Sequence, residues 1–331
     1  MSAVISGPML AEPVKGGHKP AIKVEKIVKQ FRGFTAVDDI SFQVGEGEVF
    51  GLLGPNGAGK STLIRMMTTL IPITSGRAVV GGFDVSVDPD GARRAIGVIP
   101  QAMTSDLDLS VYENLSIFAK LYGVPRSKRK PIIDELLESV DLSKWRDAEV
   151  KKLSGGMRRR VEIARGLVHS PSIFFLDEPT TGLDPVSRVA VWEMIVKIKE
   201  QRNLAVLITT HYMDEADRLC DRIAIVDHGK LVALEKPAVL KQSVPGSTVI
   251  EVQFIAPPQD WVQELERIPG VRSVQNEAAG MFRLLTDEGS KTTTAMVDLA
   301  NRKNVEVKTL SVQNTTLDDV FVHYTGRALH D

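Results

Sequence analysis

The chain has 331 residues, enough for about two domains of ordinary size. It is 43% hydrophobic and 25% charged with a formal net charge of −1, which is typical of a globular protein and excludes a chain built as a whole to wrap nucleic acid. Its one cysteine, Cys220, excludes an intramolecular disulfide framework, and the helix-like residues around it predict a small buried apolar side chain.

Residues 1–20 are interrupted by prolines and glycines and lack the charged start and long apolar centre of a signal peptide. We expect a disordered tail over these residues. No apolar run in the sequence approaches the ~20 residues needed to span a bilayer. A role at a membrane would therefore require another chain to supply the membrane part.

Residues 21–240 are predicted to form an α/β domain. Apolar runs predict strands at 22–28, 42–44, 48–53, 78–82, 96–100, 173–176, 204–209 and 223–226. The run at 173–176 is apolar throughout, as expected for a central parallel strand covered on both faces. Helices are predicted at 61–70, at 154–168 and around Trp192. Residues 111–140 also have helical spacing, which Pro125 and Pro131 are expected to break into pieces.

Residues 247–331 are predicted to form a smaller α+β domain, because the dipeptide Pro245-Gly246 favours a break in secondary structure and the sequence pattern of strands and helices changes after it. Strands are predicted at 248–254, 271–275, 281–285 and 305–310, and helices at 259–267, 291–301 and 317–324. The order strand–helix–strand–strand–helix–strand is the split ferredoxin-like pattern.

Residues 54–61 follow an apolar strand and fit the phosphate-binding pattern G-x-x-x-x-G-K-[ST]. Glycines let backbone N–H groups turn toward phosphate oxygens, and the helix that follows adds its positive dipole end. Lys60 is expected to reach the β- and γ-phosphates, and the Ser61 hydroxyl to ligate Mg²⁺. The nucleotide-binding residues expected here are Gly54, Pro55, Asn56, Gly57, Ala58, Gly59, Lys60, Ser61 and Thr62.

Two adjacent acids, Asp177 and Glu178, come directly after the strand at 173–176. An acid at the end of a buried strand can hold Mg²⁺, directly or through water, and we expect Asp177 to serve the metal. Glu178 is expected to polarise the attacking water, as a general base or its hydrogen-bond equivalent. The alternative for Glu178 is that it only caps the loop before Pro179.

Between these motifs, Leu153-Ser154-Gly155-Gly156-Met157 resembles the signature sequence of the ATP-binding-cassette (ABC) family, and the resemblance covers about residues 22–236. In isolation, Ser154 would be a helix N-cap. The resemblance implies a P-loop NTPase fold, with a RecA-like core, a helical subdomain at about 102–168 and an antiparallel β subdomain. It also implies that Ser154, Gly155 and Gly156 face the γ-phosphate held by a second copy of the chain, in a nucleotide-sandwich homodimer.

The same resemblance implies roles for four further positions. Gln101 is similar to the Q-loop glutamine, which contacts Mg²⁺ and water, and His211 to the switch histidine that contacts the γ-phosphate. Asp184 falls in a segment that resembles the D-loop, which crosses the dimer interface. Phe31 stands where the family usually stacks a tyrosine on adenine, and Phe34 is the alternative stacking residue.

Met157 stands where many transporters have glutamine, and the run Met157-Arg158-Arg159-Arg160 resembles a subset of exporter ATPases. We interpret the three arginines as a solvated helix face, or as residues that help to position the interface, and not as a nucleic-acid site. Near the C-terminus, residues 316–327 resemble the end of daunorubicin-resistance-type (ABC-2) exporter ATPases.

The resemblance implies a subunit that binds and hydrolyses ATP with Mg²⁺ at the cytoplasmic face of the cell (inner) membrane. It would drive a separate ABC-2-type permease that exports a drug-, lipid- or polysaccharide-type cargo. The alternative is the ATPase of an importer with a C-terminal regulatory domain. A soluble ABC protein that acts on DNA or ribosomes is disfavoured, because the chain has one cassette and no sustained heptads between Gln101 and Leu153. No nucleic-acid partner is expected.

Overall fold

The computed structural model describes residues 9–10, 20–244, 246, 248–278 and 280–326. The chain divides between Lys236 and Pro237 into two compact units. This division lies slightly before residue 240, where the sequence suggested that the first domain ends. Within the described residues, no helix combines the length and the apolar character needed to cross a bilayer.

The first unit is built on a seven-stranded sheet. In spatial order its strands are β1 (Met9–Leu10), β11 (Lys230–Glu235), β10 (Arg222–Asp227), β4 (Val49–Leu53), β9 (Ala205–Thr209), β8 (Ile173–Asp177) and β7 (Ile96–Ile99). The five strands from β10 to β7 run parallel. All residues of β4 and β9 are buried, which agrees with their continuous apolar sequence.

A second, antiparallel sheet of the same unit consists of β3 (Phe34–Val44), β2 (Ile22–Phe31), β5 (Ser75–Val80) and β6 (Phe83–Asp84). Strand β3 is longer than the predicted strand at 42–44, because backbone pairing with β2 continues to the turn where Phe31 faces Phe34. Within this extension, the buried residues Ala36, Val37 and Ile40 are mixed with more exposed polar residues. The two sheets share one apolar core. In it, the rings of Phe42 and Phe50 stack with centroids 5.1 Å apart.

The helices of the first unit are α1 (Lys60–Met67), α2 (Pro89–Ala95), α3 (Val111–Leu121), α4 (Arg126–Ser139), α5 (Gly155–Gly166), α6 (Pro185–Arg202) and α7 (Met213–Leu219). Helices α3, α5 and α6 are preceded by the N-cap residues Ser110, Ser154 and Asp184, whose side chains accept a hydrogen bond from a backbone N–H in the first turn. Local sequence thus fixes where these three helices start.

Pro131 lies inside α4 and does not break it, so that part of the sequence-based expectation is wrong. A proline at this position removes the hydrogen bond to the carbonyl of Ser127, four residues earlier. Both residues are exposed, so water can donate to that carbonyl instead. Ile133 and Leu136 on the opposite face are buried and hold the helix in place. Pro125 does separate α3 from α4, as predicted.

The N-terminal segment contains a short strand where the sequence suggested a disordered tail. Met9 and Leu10 pair in parallel with Ala233 and Leu234 of β11. Strand β11 would otherwise present an edge of unpaired backbone groups, which favours the addition of a strand. The remainder of the tail prediction, residues 1–8 and 11–19, lies outside the described residues.

Cys220 directly follows α7 and is buried, as the sequence predicted. A Cβ atom added at Gly51 of β4 would lie 2.8 Å from its sulfur, so the thiol packs directly on the central sheet. Burial raises the pKa of the thiol well above its usual value, and the nearby charges of Glu215, Asp221 and Glu48 raise it further. The uncharged thiol is therefore strongly favoured.

The second unit contains α8 (Pro237–Ser243), β12 (Thr248–Ile255), α9 (Trp261–Glu266), β13 (Val271–Ala278), β14 (Met281–Thr286), α10 (Gly289–Arg302), β15 (Glu306–Asn314) and α11 (Leu317–Thr325). Its four strands form an antiparallel sheet in the order β13-β14-β12-β15. From β12 to β15 the elements follow the predicted split ferredoxin-like order, with α8 before them and α11 after them. Trp261 packs edge-on against Phe254 in the core, with ring centroids 5.2 Å apart.

The first turn of α5 contains two adjacent glycines that differ in the space around them. A Cβ atom at Gly156 would lie 2.7 Å from Oγ and 2.8 Å from Cβ of Ser187, a residue of α6. At Gly155, the nearest atom outside the helix would be Cδ2 of Leu183 at 3.7 Å, an ordinary contact. Gly156 is therefore needed for the close packing of two helices, whereas Gly155 is not.

We expect Gly156→Ala to lower the midpoint of thermal unfolding by about 3 °C or more, because overpacking costs roughly 1–3 kcal/mol. Gly155→Ala is the matched control, and its midpoint should stay within about 1 °C of the parent chain. Differential scanning calorimetry of both variants measures the difference. Equal midpoints for the two variants would contradict the steric explanation.

Candidate nucleotide site

The candidate site lies where four parallel strands end. Strand β4 leads into the loop of residues 54–59, β7 ends just before Gln101, β8 ends at Asp177, and β9 ends just before His211. These strands are neighbours in the order β4-β9-β8-β7, so their carboxyl ends meet at one edge of the sheet. The fold therefore brings four of the sequence-predicted segments to one place.

The loop between β4 and α1 has a backbone that requires glycine. Gly57 and Gly59 have φ angles of 81° and 105°, in the left-handed region that other residues rarely adopt. A Cβ atom at Gly59 would also lie 2.4 Å from the carbonyl oxygen of Ala36. Because Gly59 precedes α1 directly, the free N–H groups of the first turn of that helix, which includes Ser61 and Thr62, adjoin the loop.

The ammonium group of Lys60 is buried over this loop. Its Nζ donates to the carbonyl oxygens of Gly54 at 2.6 Å and Pro55 at 3.0 Å. Burial lowers the pKa of Lys60, while the negative charges of Glu178 and Asp177 act in the opposite direction. An ammonium group held in this way beside N–H groups can donate hydrogen bonds to phosphate oxygens.

Asp177 and Glu178 are both held by Thr209, the last residue of β9. The Thr209 hydroxyl donates to Oδ1 of Asp177 at 2.6 Å and accepts from the backbone N–H of Glu178 at 3.0 Å. Glu178 has a φ angle of 46°, which is unusual for a residue other than glycine. The backbone hydrogen bond to Thr209 holds this conformation in place.

The carboxylate of Glu178 joins the other two predicted catalytic residues. Its Oε2 accepts from Nε2 of Gln101 at 2.9 Å and lies 3.2 Å from Nδ1 of His211. The same oxygen also accepts from the Thr181 hydroxyl at 3.0 Å. Gln101, Glu178 and His211 thus form one contact group, although 77 residues separate the first two along the chain.

The structure places Ser154 and Asp184 at the starts of two helices. The Ser154 hydroxyl accepts from the backbone N–H of Met157 at 3.3 Å, and the Asp184 carboxylate accepts from the N–H of Ser187 at 2.9 Å. A hydrogen bond from the Ser187 side chain lowers the pKa of Asp184, and the bond from the Ser187 backbone N–H lowers it further. Both residues therefore have a capping role within their own chain, and a role across a dimer interface stays a prediction.

The two candidates for adenine stacking lie at the tip of the β2–β3 hairpin. Phe31 is 49% exposed and Phe34 is 62% exposed. The Lys29 ammonium lies 5.1 Å from the centre of the Phe31 ring. Both rings are exposed, so the choice between them stays open.

The solvated-face interpretation of the three arginines is wrong for Arg159, which is buried. It lies on the side of α5 that faces the ends of β7 and β8, where it donates to backbone carbonyl oxygens. Arg158 and Arg160 are half-buried; Arg158 donates to the carbonyl of Leu153 just before α5, and Arg160 donates to the carbonyl of Val140 at the end of α4. The sequence gave no signal for the role of Arg159, because every residue has a backbone carbonyl and the residue types at the acceptor positions therefore do not reveal the contacts.

Two buried acids near the site were also missed. Glu162 of α5 accepts from the N–H groups of Thr104 and Ser105, just after Gln101, and pairs with Arg165. The second acid, Glu215 of α7, accepts from the hydroxyl of Thr180 and from the indole N–H of Trp192. Helical spacing alone would place these charged residues on a solvated face.

Burial raises the pKa of Glu215, and its hydrogen bonds from neighbouring side chains act in the opposite direction. Among the described residues, no three acidic, histidine or cysteine side chains form a group that could hold a metal ion by themselves. The predicted Mg²⁺ ligands Ser61, Gln101 and Asp177 instead lie in three separate segments: α1, the loop after β7, and the end of β8.

Two family profiles match the chain. The profile described as "ABC transporter" matches residues 37–181, and the profile described as "ATP-binding protein DrrA1-3-like, C-terminal domain" matches residues 236–325. The first range contains the phosphate loop, Gln101, the signature segment and both acids of β8. The second range coincides with the smaller unit.

Curated relatives are similar to the chain over nearly its whole length. The daunorubicin/doxorubicin resistance ATP-binding protein DrrA of Streptomyces peucetius is 39% identical over 94% of each chain. The Nod factor export ATP-binding protein I of Rhizobium sp. (strain N33) is 38% identical over 94% of this chain and 99% of its own. The linearmycin resistance ATP-binding protein LnrL of Bacillus subtilis (strain 168) is 34% identical over 94% of this chain and 100% of its own.

Solved structures agree with the fold. An ATP-binding subunit of an ABC transporter is 26% identical with a TM-score of 0.60, covering 67% of this chain and 92% of its own. The ADP conformation of an ATP-binding cassette of an ABC transporter is also 26% identical, with a TM-score of 0.61, covering 66% and 91%. The chain therefore belongs to the ABC transporter family, as an ATP-binding and ATP-hydrolysing subunit of the daunorubicin-resistance exporter type.

Proposed function

We propose that the chain is the motor subunit of an ABC exporter, in which two copies close around two ATP molecules and drive a separate ABC-2-type permease. The observation that carries the proposal is the contact group of Gln101, Glu178 and His211 beside the phosphate loop. The names of the similar proteins, which include resistance and export ATP-binding proteins, support the exporter direction.

In this proposal the loop binds the ATP phosphates. The left-handed glycines turn N–H groups toward the phosphate oxygens, and Lys60 exchanges its carbonyl partners for the β- and γ-phosphates. Phe31, or Phe34 as the alternative, stacks on the adenine ring. The residues proposed to bind the phosphates are Gly54, Pro55, Asn56, Gly57, Ala58, Gly59, Lys60, Ser61 and Thr62.

Mg²⁺ fits the donors at this edge of the sheet. Ser61, Gln101 and Asp177 offer a hydroxyl, an amide oxygen and a carboxylate, which are the hard oxygen ligands that Mg²⁺ takes, together with water and phosphate. The carboxylate of Asp177 is already oriented by the hydrogen bond from Thr209. When bound, Mg²⁺ would neutralise charge on the β- and γ-phosphates.

Glu178 is proposed to orient and polarise the water that attacks the γ-phosphate. One oxygen of its carboxylate, Oε2, contacts both Gln101 and His211, which restricts the orientation of the side chain. His211 is proposed to contact the γ-phosphate from the end of β9. Restricting these groups before the reaction reduces the entropy lost on reaching the transition state.

The second half of each site is proposed to come from the partner copy. Ser154 and Gly155 are exposed at the N-terminus of α5, where free N–H groups and the helix dipole favour an anion. The first turn of α5 contains no acidic residue that would oppose an anion there. Ser154, Gly155 and Gly156 would bind the partner's γ-phosphate, and Asp184 would cross the interface.

The permease is proposed to dock on the segment after Gln101 and on α3. Several apolar side chains there are exposed on a chain whose other apolar residues are mostly buried: Met103, Leu107, Ile117, Leu121 and Tyr122. Exposed apolar side chains concentrated in these two stretches of the chain support a protein interface there. The chain would then lie at the cytoplasmic face of the cell (inner) membrane, held there by the permease.

This partnership can be tested by purifying the Glu178→Gln chain with Mg-ATP from detergent-solubilised native membranes. We expect a polytopic membrane protein to copurify in near-equal amount. A double variant, Leu121→Ser with Tyr122→Ser, should recover much less of it. Recovery of nucleic acid or of a soluble partner, without a membrane protein, would argue against the exporter function.

Glu178→Gln should bind ATP normally but lose turnover by about a hundredfold or more, because the amide cannot polarise the water. It should also accumulate a closed dimer in the presence of Mg-ATP, which size-exclusion chromatography with light scattering detects. Glu193→Gln is the matched control, since Glu193 is an exposed residue of α6 paired with Arg218. Phosphate release at the parent rate by Glu178→Gln would exclude the proposed role.

Ser154→Asp and Ser154→Asn form a second matched pair. Both side chains can cap α5, so a purely structural role predicts similar behaviour. If Ser154 faces a γ-phosphate, the added negative charge of aspartate should reduce hydrolysis at least tenfold below the asparagine variant, by about 1.4 kcal/mol. Binding of ATP to the monomer should be the same in both, as measured by fluorescent-nucleotide titration. Equal hydrolysis by the two variants would contradict a role across the interface.

A further inference from the structure

Arg159 is a buried guanidinium whose hydrogen bonds all go to the backbone at the ends of two strands. Its Nε donates to the carbonyl of Pro179 at 2.6 Å, and its Nη1 donates to the carbonyl of Pro100 at 2.9 Å. Its Nη2 is shared between the carbonyls of Asp177 at 3.2 Å and Glu178 at 3.3 Å. One side chain therefore spans the end of β7 and the end of β8.

These acceptors adjoin the residues proposed to act in hydrolysis. Pro100 directly precedes Gln101, and Asp177 and Glu178 carry the two carboxylates of β8. Arg159 binds their backbone and leaves their side chains free for the nucleotide. The direct hydrogen bond between Gln101 and Glu178 requires both main-chain segments to stay at a fixed separation, which the rigid guanidinium fork can maintain.

The same face of α5 also fixes the chain after Gln101. Glu162, three residues beyond Arg159, accepts from the backbone N–H groups of Thr104 at 2.9 Å and Ser105 at 2.5 Å. Residues 100–105 are thus fastened to α5 at both ends. Any movement of α5 would carry this loop, and Gln101 within it, as one piece.

Arg159 is not required simply to fill space. Burial lowers the pKa of Arg159, and the negative charges of Glu162, Asp177 and Glu215 oppose that effect. A buried charge is costly unless its hydrogen bonds are satisfied, and an apolar residue of similar length would pack there without that cost. The guanidinium therefore indicates a need for directed hydrogen bonds at this position.

We propose that Arg159 is a positioning residue for ATP hydrolysis, which sets the distance between Gln101 and Glu178 and couples it to the position of the signature helix α5. The inference rests on the proposed function, in which the N-terminus of α5 binds the partner's γ-phosphate. Engagement of Ser154 and Gly155 would then act on Gln101 and Glu178 of the same chain through Arg159. This role differs from a simple packing role, which would affect folding but not the turnover of bound ATP.

The test compares Arg159→Met, which keeps the length and removes every donor, with Arg159→Lys, which keeps the charge and a single donor group. Arg160→Met is the matched control, because Arg160 is the next residue of α5 but donates to Val140 and pairs with Asp141. Steady-state kinetics give kcat and KM for ATP. Titration with a fluorescent ATP analogue gives the affinity, and circular dichroism with thermal melting verifies folding.

We expect Arg159→Met to lower kcat about ten- to a hundredfold, with nucleotide affinity within about twofold of the parent chain. Arg159→Lys should restore part of the loss, and Arg160→Met should retain the parent kcat. If Arg159→Met does not fold, the test uses Arg159→Lys. A kcat about threefold or more below that of the parent chain, at unchanged nucleotide affinity, then supports the proposal. An unchanged kcat in the folded variants, or a loss of affinity that accounts for the loss of rate, overturns it.

The Glu178→Gln chain separates this inference from the proposed function. If Glu178→Gln hydrolyses ATP at the parent rate, the proposed site itself is wrong. If Glu178→Gln is inactive while both Arg159 variants keep the parent kcat, the site stands and only the role of Arg159 fails.

Discussion

A single buried hydroxyl group fixes both acids at the end of β8. Thr209 donates to the carboxylate of Asp177 and accepts from the N–H of Glu178, and its burial prevents exchange of these partners with water. Asp177 and Thr209 lie opposite each other in the parallel register of β8 and β9. The geometry of the acids therefore depends on strand pairing at the centre of the sheet, and a shift in register would displace both of them.

Helix α5 reaches the same edge of the sheet from its side. It has twelve residues, so it spans about 18 Å from Ser154 at its start. Within this length it carries the signature glycines, Arg159 and Glu162. Because a helix of this length is rigid, the exposed N-terminus and the buried contacts to Pro100 and Glu178 belong to one mechanical element. Helix α5 is thus joined to the sheet edge that carries the candidate site by hydrogen bonds to backbone carbonyls, in addition to the covalent connection of the chain.

The parts of the site that the sequence predicted are those with local patterns. The glycines of residues 54–59 and Lys60 lie within one loop, and the acids of β8 directly follow an apolar run. The roles of Gln101 and His211 came instead from the resemblance to the ABC family, and the fold brings both residues to the carboxylate of Glu178. The role of Arg159 could not be predicted in this way, since its partners are carbonyl groups of segments that only the tertiary fold brings close.

In the fold, too, the features that the sequence predicted are local, and several of those that it missed depend on tertiary contacts. Hydrophobic periodicity predicted most strands and helices of both units in the correct order, but it did not reveal α2 or β11. The starts of α3, α5 and α6 follow from their capping residues. Pro131 misled the prediction because its effect depends on whether the freed carbonyl of Ser127 reaches water. The short strand β1 depends on an edge of β11 that is about 220 residues away in the chain, which no local pattern reveals.

The burial of Cys220 has a practical consequence. It is the single cysteine of the chain, packed against Gly51 with a raised thiol pKa, so it is a poor nucleophile toward alkylating reagents. A cysteine introduced at an exposed position would then be the only reactive thiol in the folded protein. The parent chain can thus carry one spectroscopic label at a chosen site, such as the exposed start of α5, without removal of its native cysteine.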